Sequence, residues 1–472
     1  MNASRRPGYI WKSAIFALGL MTALAGCGGP DAKPGAPRSA AAASVEGSGL
    51  PGLRDRSALY NGWLRERFDA VLPAIMRREG IDMWIVVCRE HAEDPVYPTL
   101  MPQPHMFAWK LTMLVFHDPG APAGLEAISV NPYGGGDFNR ELADYYRPGW
   151  TDRAEEPWAR LARLVRERDP KRIAIDESAT FAFADGLSAT LKADLAAALG
   201  PGLSSRLVSA ERLVVGWMEK RTAGEIDLFA RLAALNRRVA AEALSSKVIK
   251  PGVTTLADLS WWTRERFAAL GVEPWFQPSY YIVRRTGGPA DETLRRTVLP
   301  GDLVRCDIGF SCLGMTTDIQ EAAYILRDGE TGAPAGLDRA MRSGNRLQDI
   351  LTAEFVEGRT GNEILAAALA KGKAEGLRPS IYSHPLNRYG HGAGPKIGPA
   401  AVPGAGDYPL YADTCWAVEL SVAANVPEWG GQEVGLALEQ SAVFTRAGVV
   451  FPAGRQTEIH LVGAPAGAKT AK

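Results

Sequence analysis

Histidine is scarce in this chain, six in 472 residues, and cysteine scarcer, at five. No CxxC pair occurs, which excludes the usual zinc-ribbon and thiol-redox patterns. Cys88, Cys306, Cys312 and Cys415 lack the spacing of a disulfide framework and are expected as buried free thiols in strands. Cys306 and Cys312 flank an expected hairpin and can pair in an oxidising compartment. Net charge is missing too: 53 basic residues balance 53 acidic ones, with no block of like charge. No general field therefore selects nucleic acid or a polyanionic surface, and partners must be read from local sites. There is no repeat at solenoid periods. What is present is length and apolar content, 46% hydrophobic over 472 residues, enough for two buried cores.

The first 29 residues do not read as part of a fold. Arg5, Arg6 and Lys12 precede an apolar stretch, 13–24, that runs into Ala25-Gly26-Cys27. A charged start, a short apolar core and small residues at its end describe an export signal. The run is shorter than the roughly 20 residues a membrane-spanning helix needs. Its Leu24-Ala25-Gly26-Cys27 ending resembles the lipobox of bacterial lipoproteins, which implies cleavage before Cys27 and lipidation of its thiol. Gly28, rather than an acidic residue, then points to the outer membrane, with the protein facing the periplasm. Four segments are expected: a signal peptide over 1–26, the lipidated cysteine and a flexible Ala/Pro/Ser/Gly tether over 27–52, and domains over 53–212 and 213–465.

The first domain alternates helix and strand. A helix around 59–79 precedes the continuous apolar run 83–88, typical of a strand covered on both faces. Further strands are expected at 112–116, 127–130 and 172–175, with helices at about 154–168 and 186–199. This is an α/β domain with few convergent polar groups, expected to be structural or partner-facing. The pattern changes near Lys220. Thr222 with Glu225 forms a capping box, followed by Ile226, Phe229, Ala233, Leu235, Val239 and Leu244 at helical spacing. Thr255 with Asp258 starts another helix, which stops at Gly271. Strands are expected over 276–326, two helices over about 337–376, and strands again to about 462, an α+β domain.

Chemistry gathers in this second domain. The strand ending in Asp307 leads through Ser311-Cys312-Leu313-Gly314 to Asp318. If that turn centres a hairpin, Asp307 and Asp318 lie directly opposite, with Cβ atoms about 4.5–5.5 Å apart. Carboxylates so close repel unless a proton or cation sits between them, and two divalent metals about 3.5–4 Å apart would use both. Gly390, Gly392 and Gly394 crowd His391, permitting close backbone approach around one imidazole. Glu419 and Glu439 each sit within an apolar strand, where an unpaired carboxylate is expensive to bury. Four carboxylates and an imidazole form a donor set that suits manganese, iron, cobalt or zinc.

The order Asp307, Asp318 eleven residues on, then His391, Glu419 and Glu439 resembles the pita-bread metallopeptidases: aminopeptidase P, prolidase, methionine aminopeptidase and the related creatinase. The likeness runs from about Glu219 to the end and includes Glu219-Lys220-Arg221, Pro251-Gly252-Val253-Thr254 and Leu299-Pro300-Gly301-Asp302. The domain ahead looks like the creatinase-type N-terminal domain. The resemblance implies a pita-bread α+β catalytic domain holding two divalent ions. Asp307 would bind one ion, Asp318 and Glu439 would bridge both, and His391 and Glu419 would complete the other. Glu419 could help take a proton from water. The implied activity is hydrolysis of short peptides, of the Xaa-Pro aminopeptidase or dipeptidase kind, and dimers are common in the family.

The chain departs from the family around these ligands. A histidine seven residues after the ligand histidine falls on Gly398, and one seventeen before the first aspartate on Ala290. The arginine two before the last glutamate is Ala437, and the threonine and arginine after the second aspartate give way to Gln320-Glu321-Ala322. Three readings follow: a hydrolase in which His384, Glu321, Tyr389 or Arg388 replaces the missing groups, a metal-binding pita-bread scaffold without peptidase activity, or a metal-free amidine hydrolase like creatinase. Of the domain's three histidines, His391 is taken by metal and His460 lies in a late strand, so His384 is the expected proton donor.

Overall fold

The apolar run at 83–88 lies inside the first of two sheets, and its neighbours explain why it is apolar on both sides. The computed structural model describes residues 47–120, 123–131, 140–152 and 154–463. The signal segment, Cys27 and most of the tether lie outside these. Strands β1 (Met83–Arg89), β2 (Leu111–His117), β3 (Glu126–Val130), β4 (Arg147–Pro148), β5 (Ile173–Ile175) and β6 (Leu207–Ser209) pair in the order β4-β3-β2-β1-β5-β6. Alternate residues of β1 enter different cores. Trp84, Val86 and Cys88 pack with helices Leu53–Glu66, Leu72–Glu79 and Glu211–Glu219, whereas Met83, Ile85 and Val87 pack with helices Pro157–Arg168 and Ala189–Ser204. This is a three-layer α/β arrangement. The boundary expected at 212/213 falls inside helix Glu211–Glu219.

That helix hands the chain to helix Ala223–Ala243, whose Thr222/Glu225 capping box forms as expected, as does the Thr255/Asp258 box of helix Leu256–Ala269. A third box, Thr360/Glu363, starts helix Gly361–Ala374 and was not anticipated. Glu225 has a second role. Its carboxylate also takes Arg67 from the first half at 3.0 Å and Arg221 at 3.0 Å, and all three side chains are buried, so the helix cap locks the two halves together.

The remaining strands are β7 (Glu273–Pro274), β8 (Ser279–Val283), β9 (Leu303–Ile308), β10 (Phe310–Cys312), β11 (Met315–Thr316), β12 (Ile319–Ile325), β13 (Pro379–Ile381), β14 (His384–Asn387), β15 (Gly390–His391), β16 (Thr414–Val426), β17 (Gln432–Thr445), β18 (Gly448–Val450) and β19 (His460–Val462). The main path is β15-β14-β16-β17-β12-β9-β8. Val304, Cys306 and Ile308 on the back of β9 pack with helices Ala223–Ala243 and Leu256–Ala269. Val418, Leu420, Leu436 and Leu438 on the backs of β16 and β17 pack with helices Ala335–Thr352 and Gly361–Ala374. Two helix pairs thus cover the back of a sheet whose front carries the polar residues. Cys88, Cys306, Cys312 and Cys415 are buried free thiols. Among the described residues, no helix is long and apolar enough to cross a membrane.

Candidate metal centre and cleft

The hairpin differs from the expected one by two residues. Its turn is Leu313-Gly314, with φ of 52° and 74°, flanked by the pair Cys312 and Met315. Two successive left-handed residues twist in the sense of the flanking strands, which favours a two-residue connection over a turn centred on 312–313. The register that follows pairs Asp307 with Gln320, so Asp318 is not directly opposite Asp307. A shift of two keeps side chains on the same face, so the aspartates still share the front of the sheet. Pairing continues from Gln320 to Glu439 and from Glu439 to Glu419. Asp307, Gln320, Glu439 and Glu419 therefore stand in one row across four adjacent strands.

Asp318 lies just before β12, where its backbone is pinned to β17. Its N–H donates to Ser441 Oγ at 3.1 Å, and that hydroxyl donates to the Asp318 carbonyl at 3.0 Å. Ser383 does the same beside Glu419, donating to the Glu419 carbonyl at 2.8 Å and accepting from its N–H at 3.0 Å. His384 follows Ser383 and pairs with Ala417, two residues from Glu419 and so on the same face.

The imidazole brought to the carboxylates is that of His384. Its Nε2 is 3.9 Å from Asp318 Oδ2 and 3.9 Å from Glu439 Oε1. Asp318, His384 and Glu439 form the group of potential ligands whose atoms lie within 4.8 Å of one another. Asp318 Oδ1, Glu439 Oε1 and His384 Nε2 are all buried without a hydrogen-bond partner. Nδ1 of His384 lies 3.2 Å from the Pro385 carbonyl, and a proton donated there leaves the Nε2 lone pair facing the carboxylates. Burial, with His391 beside it, holds the imidazole down to about 3, so it is neutral, as a metal ligand must be. Burial first, then Asp307 and Glu419, pushes the Asp318 carboxyl well above its ordinary range; burial, then Asp318 and Glu419, does the same to Glu439. Burial also raises Asp307 to about 6 and Glu419 to about 7.

A divalent ion fits these observations. Two donors at about 2.1 Å from one ion can be at most about 4.2 Å apart, and the 3.9 Å separations fall inside that limit. A cation beside Asp318 would satisfy the orphaned His384 Nε2 and Glu439 Oε1 and remove the need to protonate the carboxylates.

The other expected residues are placed differently. His391, expected as the ligand, is exposed on β15 and outside that group. Its ring stands 4.5 Å from the His384 ring at 83°, with Trp275 at 5.3 Å and Tyr382 at 6.0 Å. Gly390 is required here: its φ is 67°, and a Cβ would lie 2.2 Å from the Trp275 ring. Glu321 faces the back of the sheet, fully buried and held by Arg237 at 2.8 Å and His460 at 2.7 Å. The Tyr389 hydroxyl donates to the Pro95 carbonyl at 2.6 Å. Neither Glu321 nor Tyr389 is placed to replace a missing proton donor.

Two features escaped sequence reasoning. Gln320 Nε2 donates to Glu419 Oε1 at 2.8 Å and to Glu439 Oε2 at 2.7 Å, an amide inserted among the expected ligands. Its position two after Asp318 was the available signal. The first half also reaches the centre: Thr180, Phe181, Ala182 and Phe183 wall a cavity of about 240 Å³ on the His384–His391 side. The apolar 181–184 run interrupting an otherwise polar connection was the only hint. A second cleft, of about 400 Å³, opens on the Asp307–Glu419 side, and Tyr382 borders both.

No protein-family model matches the sequence, and no curated protein does. Solved structures do match in fold. An X-Pro aminopeptidase from Thermotoga maritima MSB8 is 15% identical, with 82% of this chain and 100% of that one covered and a TM-score of 0.59. The dipeptidase PepE from Mycobacterium ulcerans is 19% identical, covering 86% and 99%, with a TM-score of 0.55. The N-terminal domain of FACT complex subunit SPT16 from chickpea is 11% identical, covering 87% and 98%, with a TM-score of 0.51. The chain has the pita-bread fold of these peptidases, and a fold that also occurs in a complex subunit does not by itself name a reaction.

Proposed function

We propose that the chain is a metal-dependent hydrolase of short peptides, with peptides carrying proline in second position the first candidates. The observation that carries this is the convergence of Asp318, His384 and Glu439 with three buried, orphaned donor atoms. A divalent ion held there, whether manganese, zinc, cobalt or iron, supplies Lewis acidity, lowering the pKa of a bound water and polarising a carbonyl. His384 then acts as ligand, and His391 takes the proton-handling role the sequence assigned to His384. His391 lies seven residues after His384, the interval the family resemblance implies between ligand and second histidine. Partial burial of its ring against the cleft wall, then nearby Lys396, lowers its pKa from the usual histidine value, which favours the neutral, proton-accepting form in the resting cleft. Glu419 and Asp307 border the second cleft, beyond Tyr382, as further acceptors or ligands.

Xaa-Pro and non-proline dipeptides and tripeptides, assayed with each of the four metals, test the reading. The expected result is release of the first residue, abolished by chelation and restored by metal. A second reading, a metal-binding scaffold without hydrolysis, draws on the Gln320 amide that occupies two carboxylate oxygens. Tightly bound metal with no cleavage of any peptide would select it. We also place the protein in the bacterial envelope, on the lipobox-like ending at Cys27. Cys27→Ala is expected to shift the protein out of the membrane fraction or block its processing, and unchanged lipidation and fractionation would refute the anchor.

A further inference from the structure

One cation on the front of the sheet is left over by the metal reading. Arg305 sits two residues before Asp307 on β9, on the same face, next to Tyr281 of β8 in register. Its guanidinium lies 4.5 Å over the Tyr281 ring. Its Nε is buried and has no hydrogen-bond partner. It lines the same cleft as Asp307 and Glu419, yet among the described residues no ion pair joins it to either. It borders the cleft of about 400 Å³, whose other walls include Ser380 and Ser421, paired across β13 and β16, and the small Gly435 and Ala437.

The geometry points to an anion subsite at Arg305 that takes a carboxylate of the substrate, with the Ser380 and Ser421 hydroxyls across the cleft as further donors. The inference rests on the peptidase reading for its ligand class: in a short peptide the carboxylate is either the C-terminus or an acidic side chain. A stacked guanidinium with free donors is suited to this geometry, since its planar fork matches a carboxylate. Spacing agrees with a very short peptide. Residues two apart on a strand are separated by about 7 Å, so a carboxylate at Arg305 falls about two extended residues from Asp307, at the end of the polar row. The subsite thus selects dipeptides and short acidic peptides over long or amidated ones.

A ligand that cannot be hydrolysed separates this from catalysis. The probe is the reduced-bond dipeptide Ala-ψ[CH2NH]-Gly, with its C-terminal amide, and the amide with glutamate as second residue. Binding is measured by calorimetry to the full-length metal-loaded protein. The free acid is expected to bind about 10- to 100-fold more tightly than the amide, the scale of charge-assisted hydrogen bonds to a carboxylate. Arg305→Ala removes that preference and Arg305→Lys restores part of it, while bound metal stays at the wild-type level. Tight binding of the glutamate-bearing amide alone identifies the side chain as the source of the carboxylate. Equal binding of all three probes, or an acid preference that survives in Arg305→Ala, overturns the subsite. If Arg305→Ala changes only metal affinity, the residue merely balances charge and the subsite is again overturned. An Arg305-dependent preference without peptide cleavage sinks the catalytic reading and leaves the subsite standing.

Discussion

His384→Ala is expected to bind its divalent ion more than about 100-fold more weakly than wild type, whereas His391→Ala keeps the ion and loses about 100-fold in turnover. The two rings touch, so proximity alone does not separate them. The direction of their nitrogens does. His384 Nε2 points at Asp318 and Glu439, 3.9 Å from each, while Nδ1 is tied to a backbone carbonyl. Residues that only orient a metal ligand already cost 10–100-fold in affinity, so losing the ligand itself should exceed that range. An imidazole held at about 3 also makes a poor proton donor near neutrality. His391 is more exposed and borders the cleft, where proton transfer with a substrate is reachable. Metal content after dialysis, measured for both variants alongside turnover, decides the matter. His384→Ala with wild-type metal content, or His391→Ala with wild-type turnover, would contradict the exchange of roles.

The choice between these histidines shows where sequence reading ends. Both precede the two glutamates in chain order, and glycines around His391 made it the conspicuous one. What brings His384 to the carboxylates is the register of β14 on β16, which sets it opposite Ala417 and beside Glu419. Register between strands thirty residues apart leaves no local trace. The capping boxes at Thr222 and Thr255 were readable because cap and partner lie three residues apart. Strand β1 was readable because burial on both faces leaves a continuous apolar run. The Asp307–Asp318 hairpin was readable in part. Alternation keeps the shared face for any even shift of register, so the two-residue error changed the partner without changing the side. The wall contributed by 180–183 was not readable, because a short apolar run more than two hundred residues upstream does not say which residues it will meet.

Gln320→Thr is expected to raise the number of tightly bound divalent ions from one per chain to two. In the native chain the row Asp307–Gln320–Glu439–Glu419 has a carboxamide where a second ion would need open carboxylate oxygens. Both amide hydrogens are spent, one on Glu419 and one on Glu439, and Gln320 is buried with Glu439. An amide N–H2 carries partial positive charge, so it satisfies those oxygens without metal and repels a cation brought beside it. Asp318, His384 and the remaining oxygen of Glu439 are untouched by it, which leaves one seat of high affinity. Threonine is too short to reach both glutamates. In the metal-free state the variant should therefore lose about 1–3 kcal/mol of stability, because buried Glu439 and half-buried Glu419 lose their donor. With excess manganese or zinc the order should reverse, since an ion bound at about 1,000 times its Kd returns about 4.1 kcal/mol per site and the variant has two sites. Thermal unfolding with and without metal, read beside metal counts by mass spectrometry, gives a crossing that a simple packing defect does not produce. Two equally tight ions in the wild-type protein, or a variant that stays at one, would show that the amide moves aside and that the pair of ions implied by the family resemblance is retained.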